Sequence, residues 1–373
     1  MLHTDKHLDE SVKESERVIN ICNACRYCEG FCAVFPTIEK HLEFTSGDLR
    51  YLANLCHDCQ ECYHACQYSP PHEFQINVPQ ALSELRKSSY GEYGWPRFMV
   101  RISASPMYTL IASTLIIPVL FVLVGLLKHG VLGLTMAHTD DQGAFYQVVS
   151  HAEMVWGFGI VGLFVVVALV VGWCKFRRDS ENGDKEKLAW QDVRQALSDA
   201  LKLRYLGSNG DGCTYPDERP SILRRWFHHA TFYGFMICFA STSVATLYHY
   251  MFGWTAPYPF LSIPVILGTL GGVGLIIGPF GLLYLKLKQI RDSKEEGFGQ
   301  AKIDITLLTL LIAISLTGFL LLFLRETSVM GVILLVHLGL VMGLFLTMPY
   351  GKFVHGLYRF GALIRFAKEE RGS

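Results

Sequence analysis

The strongest constraint on the fold is a series of long stretches that contain no Asp, Glu, Lys or Arg and that all lie after residue 106. Each stretch reaches or exceeds the about 20 residues that an α-helix needs to cross the hydrocarbon core of a bilayer. A buried helix of a soluble protein seldom stays uncharged over that length. We therefore predict six transmembrane helices, at residues 107–127, 154–174, 228–253, 260–285, 305–324 and 327–350.

Charge predicts the orientation of these helices. The 373-residue chain is formally neutral, so it has no large basic surface of the kind that binds nucleic acid. Lys and Arg concentrate in the segments 175–227, 286–304 and 351–373, whereas the opposite side has only Lys128 and Arg325. Because Lys and Arg accumulate on the cytoplasmic side, we predict a multi-pass protein of the inner (cytoplasmic) membrane with both termini in the cytoplasm.

Two identical cysteine runs precede the first predicted span. Each has the spacing Cys-x2-Cys-x2-Cys-x3-Cys, and the second repeats the first after 34 residues. This spacing is that of bacterial two-cluster ferredoxins, in which the fourth cysteine of each run binds the other cluster. The predicted [4Fe-4S] ligand sets are therefore Cys22, Cys25, Cys28 and Cys66 for the first cluster, and Cys56, Cys59, Cys62 and Cys32 for the second.

Other uses of these cysteines fit less well. The ferredoxin signature has proline directly after the fourth cysteine, whereas here Ala33 and Gln67 stand there. Disulfides are disfavoured because residues 1–17 are charged and do not resemble a signal peptide. Structural zinc usually takes its ligands from two separated pairs rather than from four cysteines within eleven residues.

The cysteine-rich segment is predicted to be helical. Residues 8–21, 47–56 and 78–86 have helical spacing, and alternating strand patterns are absent. We predict an all-α fold with two domains: a cytoplasmic, helical, ferredoxin-like domain at 1–100 and a six-helix, cytochrome b-like transmembrane bundle at 101–373. The cytoplasmic loop 175–227 should contain an amphipathic helix at 185–205. Its turn-rich part, 207–220, is either a connector or a docking surface, and Cys174, Cys213 and Cys238 receive no role.

Histidines at two levels of the membrane predict b-type haem. His337 and His355 are 18 residues apart, which is five whole turns of a continuous helix and therefore one face. The third span has histidines near both of its ends. Imidazoles from two facing helices can bind one haem iron from opposite sides. The predicted pairs are His249 with His337, and His228 or His229 with His355, for one haem or two.

Two further ionisable residues begin the second span. His151 and Glu153 lie at its outer end, where ionisable groups are functional candidates. They are predicted either as a quinone or haem site or as ordinary interfacial residues.

Three segments carry a family resemblance. They are GDLRYLANLCHDCQECYHACQYSPPHEFQINVPQAL (47–82), ALKLRYLGSNGDGCTYPDERP (200–220) and RRWFHHATFYGFMICFASTSVATLYHY (224–250). With them the whole chain resembles the tricarballylate utilisation protein B family, also called citrate utilisation protein B. The resemblance implies an iron–sulfur and haem-containing membrane protein that reoxidises the FAD of a cytoplasmic tricarballylate dehydrogenase and passes electrons to the quinone pool.

The residues themselves predict electron transfer rather than substrate oxidation. No G-x-G-x-x-G follows a predicted strand, so a flavin site and the oxidation of the substrate are expected on a partner chain. Whether the chain counts as an enzyme by itself stays open. One alternative keeps the electron route but changes the donor to a heterodisulfide-type or hydroxyacid-type dehydrogenase. Another is a six-helix transporter or sensor with a metal-bearing regulatory domain.

Overall fold

The computed structural model describes residues 2–138, 143–181, 187–207, 213–292 and 298–372. The first eight helices are α1 Leu2–Cys25, α2 Val34–Glu39, α3 Ser46–Leu55, α4 Glu61–His64, α5 Val78–Tyr93, α6 Arg97–Ile102, α7 Pro106–Ile111 and α8 Ile117–Thr135. The next eight are α9 Ala144–Val148, α10 His151–Ser180, α11 Trp190–Lys202, α12 Leu223–Phe252, α13 Ile263–Asp292, α14 Phe298–Leu324, α15 Met330–Thr347 and α16 His355–Gly372. Within these described ranges there is no β-strand, only an isolated bridge between Cys213 and Ser221. The all-α prediction is confirmed.

Six helical segments of the described chain are long and apolar enough to cross a membrane. Their bounds are Pro106–Thr135, His151–Ser180, Leu223–Phe252, Ile263–Arg291, Lys302–Leu324 and Met330–Thr347. They coincide with the six predicted spans, and most extend further at their ends. The first segment joins α7 to α8 through a π-helical turn at Ala112–Ile116. Near its end, the helix is kinked at Gly130, which has a left-handed φ of 68°.

The chain forms two compact units, and each draws on separate parts of the sequence. The cysteine-bearing unit contains 1–100, 168–225 and 353–373, and the helical unit contains 101–167 and 226–352. The first unit therefore includes more than residues 1–100, because the end of α10, the loop helix α11 and the C-terminal α16 join its core. The predicted loop helix is present, as Trp190–Lys202. Of the turn-rich segment, residues 208–212 lie outside the described part of the chain.

The core of the cysteine-bearing unit forms between α1, α3, α5 and α16. Their apolar faces bury residues such as Val18, Leu52, Leu82 and Ala362. Helix α3 begins with a capping box, in which Thr45 Oγ1 accepts from the Asp48 amide at 3.2 Å and Asp48 Oδ2 accepts from the Thr45 amide at 3.0 Å. This capping satisfies amide groups that the first turn of a helix leaves without partners. The helix thus starts at a defined residue and ends at Leu55, directly before the second cysteine run.

A buried arginine connects α16 to this helix start. Arg365 Nη2 donates to Asp48 Oδ1 at 2.6 Å, and Arg365 Nε donates to Glu369 Oε1 at 2.7 Å. The same guanidinium bonds the Ser180 carbonyl and lies 4.1 Å from the centre of the Tyr51 ring. Burial by itself raises the pKa of Asp48, but hydrogen bonds from Thr45 and Arg365 outweigh burial and hold this pKa below its ordinary value. Arg365 therefore neutralises two acids that would otherwise be desolvated without compensation.

In the helical unit, small residues let α15 approach the first candidate span. A Cβ added at Gly343 would lie 2.6 Å from the Ser113 carbonyl oxygen, and one added at Gly339 would lie 2.5 Å from Pro118 Cα. Backbone contact this close requires glycine, as is common where helices pack inside a membrane. The two glycines are four residues apart and therefore lie on one face of α15.

We predict that Arg365→Ala strongly destabilises the protein. Removing one partner of a buried ion pair leaves a buried, uncompensated charge, which costs about 3–5 kcal/mol. The matched control is Arg17→Ala, because Arg17 and its partner Glu14 are both exposed and such pairs contribute about 0–1 kcal/mol. Denaturant unfolding of the full chain in detergent, followed by tryptophan fluorescence, measures both. Equal losses in the two variants would contradict the role given to Arg365.

Candidate metal centres

The eight cysteines of the two runs line two neighbouring cavities. One cavity, of about 200 Å³, is lined by Cys22, Cys25, Cys28 and Cys66. The other, of about 20 Å³, is lined by Cys32, Cys56, Cys59 and Cys62. Each cavity thus combines three cysteines of one run with the fourth cysteine of the other. We call these groups the first and the second cysteine set. Cys62, Phe35 and Val78 line both cavities, so the two sets share a wall.

The same backbone conformation recurs in both runs. Arg26 and Gln60 occupy equivalent positions in the 34-residue repeat, and both are left-handed, with φ of 56° and 65°. Each directly follows the second cysteine of its run, where the chain turns towards the third. Asp58 adds another left-handed residue to the second run, with φ of 53°. These turns direct the side chains of closely spaced cysteines into one cavity.

The chemistry of the donor sets suits a polynuclear, positively charged group. Burial raises the pKa of the Cys22 and Cys28 thiols to about 12, and repulsion from the neighbouring cysteines adds to the rise. Metal binding reverses this effect, because thiolates are the ligating form and metal binding drives off their protons. In the described ranges no three His, Cys, Asp or Glu side chains converge as a single-ion site requires. A set of four cysteines is the usual ligand set of a [4Fe-4S] cluster, and the residues at each cavity fit that group.

Three arginines hold the loop of the second cysteine set. Arg86 Nη1 donates to the carbonyls of Ala53 and Cys56, at 2.9 and 2.7 Å. Arg359 Nη2 donates to the same Cys56 carbonyl at 2.6 Å. Arg224 donates to the carbonyls of Asp58 and His57, at 2.5 and 3.1 Å.

These arginines create a positive region around the second set. The side chain of Arg86 is buried, and Arg224 and Arg359 are half-buried. Burial, together with repulsion from Arg86, lowers the pKa of Arg359 to about 10. Burial and repulsion from Arg359 and Arg224 hold the pKa of His57 well below its ordinary value, so His57 stays neutral. A region with this many cations is favourable when a negatively charged group lies within it.

Backbone amides add further donors at the second set. The amides of Val34 and Phe35, at the start of α2, hydrogen-bond to Cys32, and the Glu61 amide hydrogen-bonds to Cys59. The Asp58 amide donates to Cys56 Sγ at 3.4 Å. A cysteine thiolate that accepts such bonds carries less of its charge on sulfur. Ala33, where the ferredoxin signature has proline, is the residue from which α2 begins.

Cys213 is a ninth cysteine next to the second set. It is fully buried, and its sulfur lies within hydrogen-bond reach of Cys59. Its Sγ donates to the Leu206 carbonyl at 2.8 Å. That bond uses the thiol proton, whereas the contact with Cys59 lowers the pKa of Cys213 and favours its thiolate.

In the helical unit, one ring nitrogen of the predicted haem ligand His337 has a side-chain partner. Its Nδ1 lies 3.0 Å from Thr317 Oγ1 on α14, and Gly318 faces the ring, where an added Cβ would lie 3.3 Å from His337 Cε1. Metal-binding histidines commonly have one ring nitrogen fixed by such a partner, which orients the other nitrogen. His337 therefore fits haem ligation through Nε2.

His249 and His151 lie together where α12 ends and α10 begins. Their rings stack at a centroid distance of 3.7 Å with an angle of 16° between the planes. Tyr146 packs edge-on against both, at 5.8 and 5.5 Å. Within the described ranges no hydrogen bond or ring contact joins His249 to His337. Glu153 instead pairs with Lys128 at 2.7 Å and accepts from the Ser150 amide at 2.9 Å.

The remaining predicted haem ligands are placed as follows. His228 and His229 lie in the second turn of α12, and His229 stacks on Tyr233 at 5.6 Å. His355 is the first residue of α16. The assumption of one continuous helix from His337 to His355 is wrong, since α15 ends at Thr347 and a 3-10 turn at Lys352–Val354 precedes α16. Pro349 lacks an amide hydrogen and disfavours helix at the residue before it, so the five-turn arithmetic does not apply.

Fold and site together define a class: an all-helical protein with six apolar, membrane-length helices and an N-terminal ferredoxin-like domain. Comparison with known proteins identifies the family. The family model "Citrate utilization protein B Fer4-like domain" matches residues 15–92, and the model "Citrate utilization protein B" matches residues 102–373. The chain belongs to the citrate utilization protein B family, which is the family indicated by the sequence resemblance.

A curated relative agrees with the family models along the whole chain. The Escherichia coli protein named citrate utilization protein B is 48% identical over 368 residues, which cover 98% of this chain and 94% of that protein. No solved structure matches the chain significantly.

Several residues of the site have no distinctive signal in the sequence. The three arginines that hold the second cysteine set come from α5, α12 and α16, far apart along the chain. Cys213 lies within the turn-rich segment 207–220 and shows no ligand spacing. The family segments mark part of this region as distinctive. They include Cys213 and Arg224, and the first of them ends at Leu82, shortly before Arg86.

We predict that the two cysteine sets can be damaged separately. Cys66→Ser should impair the first cysteine set, because Cys66 lines its cavity. Cys32→Ser should impair the second set for the same reason. Each variant should lose about half of the bound iron, since one [4Fe-4S] cluster of two is lost. Iron analysis and electron paramagnetic resonance (EPR) spectra measure this. Cys174→Ser is the control, and loss of the second-run signal in Cys66→Ser would refute the crossed sets.

Proposed function

We propose that this protein transfers electrons from the reduced flavin of a cytoplasmic dehydrogenase to quinone in the inner membrane. The observation that carries the proposal is the pair of adjacent cavities, one at each four-cysteine set, with Cys62 in the wall that they share. The groups bound there and at the histidines, two [4Fe-4S] clusters and b-type haem, would supply one-electron redox chemistry. The protein's residues bind these groups, orient them and set their electrostatic environment.

The cysteines and arginines have separate roles in this proposal. The first set, Cys22, Cys25, Cys28 and Cys66, and the second set, Cys56, Cys59, Cys62 and Cys32, each hold one cluster. The arginines bonded to the carbonyls of the Cys56–Cys59 loop fix its conformation and offset negative charge. His337 holds haem, with Thr317 fixing its other ring nitrogen. His249 is the expected partner of His337, and His355 with His228 or His229 forms the expected second pair.

The stacked His151 and His249 support a quinone or haem site at the outer end of the helical unit. Two imidazoles and the nearby Tyr146 hydroxyl are groups that can hold or pass protons, which quinone reduction consumes. The Lys128–Glu153 ion pair gives Glu153 a structural role at the start of α10. In this arrangement His151, rather than Glu153, is the residue suited to proton exchange.

The partner is proposed to be a soluble, FAD-dependent dehydrogenase. The family resemblance favours tricarballylate as its substrate, and the name of the E. coli relative refers to citrate utilization. The distribution of Lys and Arg supports cytoplasmic N- and C-termini, which places the cysteine-bearing unit on the side of a cytoplasmic donor. The reaction on the substrate itself then belongs to the partner, and this chain acts as its quinone-reducing subunit.

We expect the purified protein to show both kinds of chromophore. Reduction with dithionite should bleach a broad iron–sulfur absorbance at roughly 400 nm and produce a sharp b-type α band. His337→Ala should remove haem absorbance while the iron content of the clusters stays unchanged. His129→Ala is the control, since His129 Nε2 hydrogen-bonds the Val148 carbonyl and is not a predicted ligand. A colourless preparation that contains zinc would instead support a regulatory metal domain on a transporter or sensor.

Anaerobic reconstitution tests the route as a whole. The protein in liposomes with a quinone should oxidise the reduced flavin of tricarballylate dehydrogenase, and quinone reduction should follow with matching stoichiometry. Cys25→Ser should abolish quinone reduction, and Cys174→Ser should not. Flavin reoxidation that proceeds equally well without this protein would contradict the proposal.

A further inference from the structure

The two cysteine sets differ sharply in the charge around them. Three guanidiniums bond the backbone of the Cys56–Cys59 loop, and Asp58 is the acid whose field acts on Cys56. At the first set, the negative charge of Glu61 acts on Cys28. Arg26 belongs to the first run, but its side chain is exposed and its Nε donates to the Asn23 carbonyl. Water screens such an exposed charge far more than it screens a buried one.

Hydrogen bonds to sulfur differ in the same direction. Amides of four residues, Val34, Phe35, Asp58 and Glu61, hydrogen-bond to cysteines of the second set. In the described part of the chain no such amide bond acts on Cys22 or Cys28 of the first set. Net charge and hydrogen bonds to the sulfurs are two of the properties that set the reduction potential of an iron–sulfur cluster.

Burial acts against these two effects. Adding an electron increases the negative charge of a cluster, and a site removed from water stabilises that charge less. Cys56 is buried, whereas Cys25 is exposed, so burial alone would give the second set the lower potential. The low dielectric that causes this penalty also strengthens Coulomb attraction to nearby cations. With three guanidiniums against one carboxylate, attraction is the larger effect.

We infer that Arg86, Arg224 and Arg359 give the second cysteine set the higher reduction potential of the two cluster sites. This inference rests on the proposed function, because it requires that both sets hold clusters. The first set, which has the exposed Cys25 and the exposed ring of Tyr27 at its cavity, is then the entry site for electrons. One electron leaves the first site as one enters the second, and the flavin donor and the quinone acceptor balance the two ends of the transfer.

The arrangement also gives direction to transfer. An electron that enters at the first set moves towards the more positive site, and its return is disfavoured by the same difference in potential. A tenfold preference for the second site corresponds to a difference of about 59 mV for a one-electron couple. The three arginines act through the cluster they surround, and they are positioning residues rather than ligands.

The test is an EPR-monitored potentiometric titration of the full-length protein in detergent, with iron content measured for each sample. The wild type should show two reduction waves, one for each site. At a given potential, the ratio of reduced to oxidised cluster should differ at least tenfold between the two sites. Arg224→Gln and Arg359→Gln should each move the higher wave to lower potential. At a given potential, each variant should lower the reduced-to-oxidised ratio of that cluster at least tenfold. Arg224→Lys, which keeps the charge, should move the higher wave less than Arg224→Gln does.

The matched control is Arg26→Gln, which places in the first run the residue that the second run has at the equivalent position. It should leave the higher wave unchanged. Coincident waves in the wild type would overturn the inference, as would glutamine variants that load iron fully but leave the higher wave in place or move the lower wave instead. If the wild type binds no clusters at all, the proposed function fails, which is a different result from two clusters of equal potential.

Discussion

The structure depends on the way negative charge is compensated in the cysteine-bearing unit. Eight thiols in two adjacent, partly buried cavities cannot ionise together unless positive charge is supplied, as the raised pKa of Cys22 and Cys28 shows. In the proposed function bound metal ions would supply most of it, and at the second set the protein contributes further cations. Burial, together with repulsion from Arg86, lowers the pKa of Arg359, which is the cost of placing these cations side by side. Buried thiolates and buried arginines each carry a desolvation cost, and the proposed cluster would offset both.

That requirement explains why the unit extends beyond the first 100 residues. Arg86 lies on α5, but Arg224 comes from the start of α12 and Arg359 from α16. Both later segments belong to the same compact unit as the cysteine runs. Arg365, on the same C-terminal helix, pairs with Asp48 at the start of α3. The C-terminal helix therefore stabilises the helix that leads into the second run and also contributes charge at the cluster site.

Regular patterns made much of the fold predictable. The six uncharged stretches predicted all six membrane-length helices, because a bilayer allows few charges over that length. Helical spacing predicted α3 and α5, and the cysteine repeat predicted a ferredoxin-like domain that the family model supports. The prediction of one continuous helix from His337 to His355 was wrong, because the chain leaves the helix near Pro349. Counting residues between the two histidines took no account of this proline. The stacking of His151 on His249 has no periodic signal and appeared only in three dimensions.

By itself, the sequence determined the all-helical class, the number of membrane-length helices and the cysteines of the two runs. These properties follow from local rules, in which residue spacing and side-chain hydropathy act over one helix or one loop. Only the tertiary structure decided that Cys213 lies beside Cys59, and that arginines from three helices surround one set and not the other. Charge–charge interactions act through space between residues far apart in the chain, so their effect on each site depends on the packing of the whole unit.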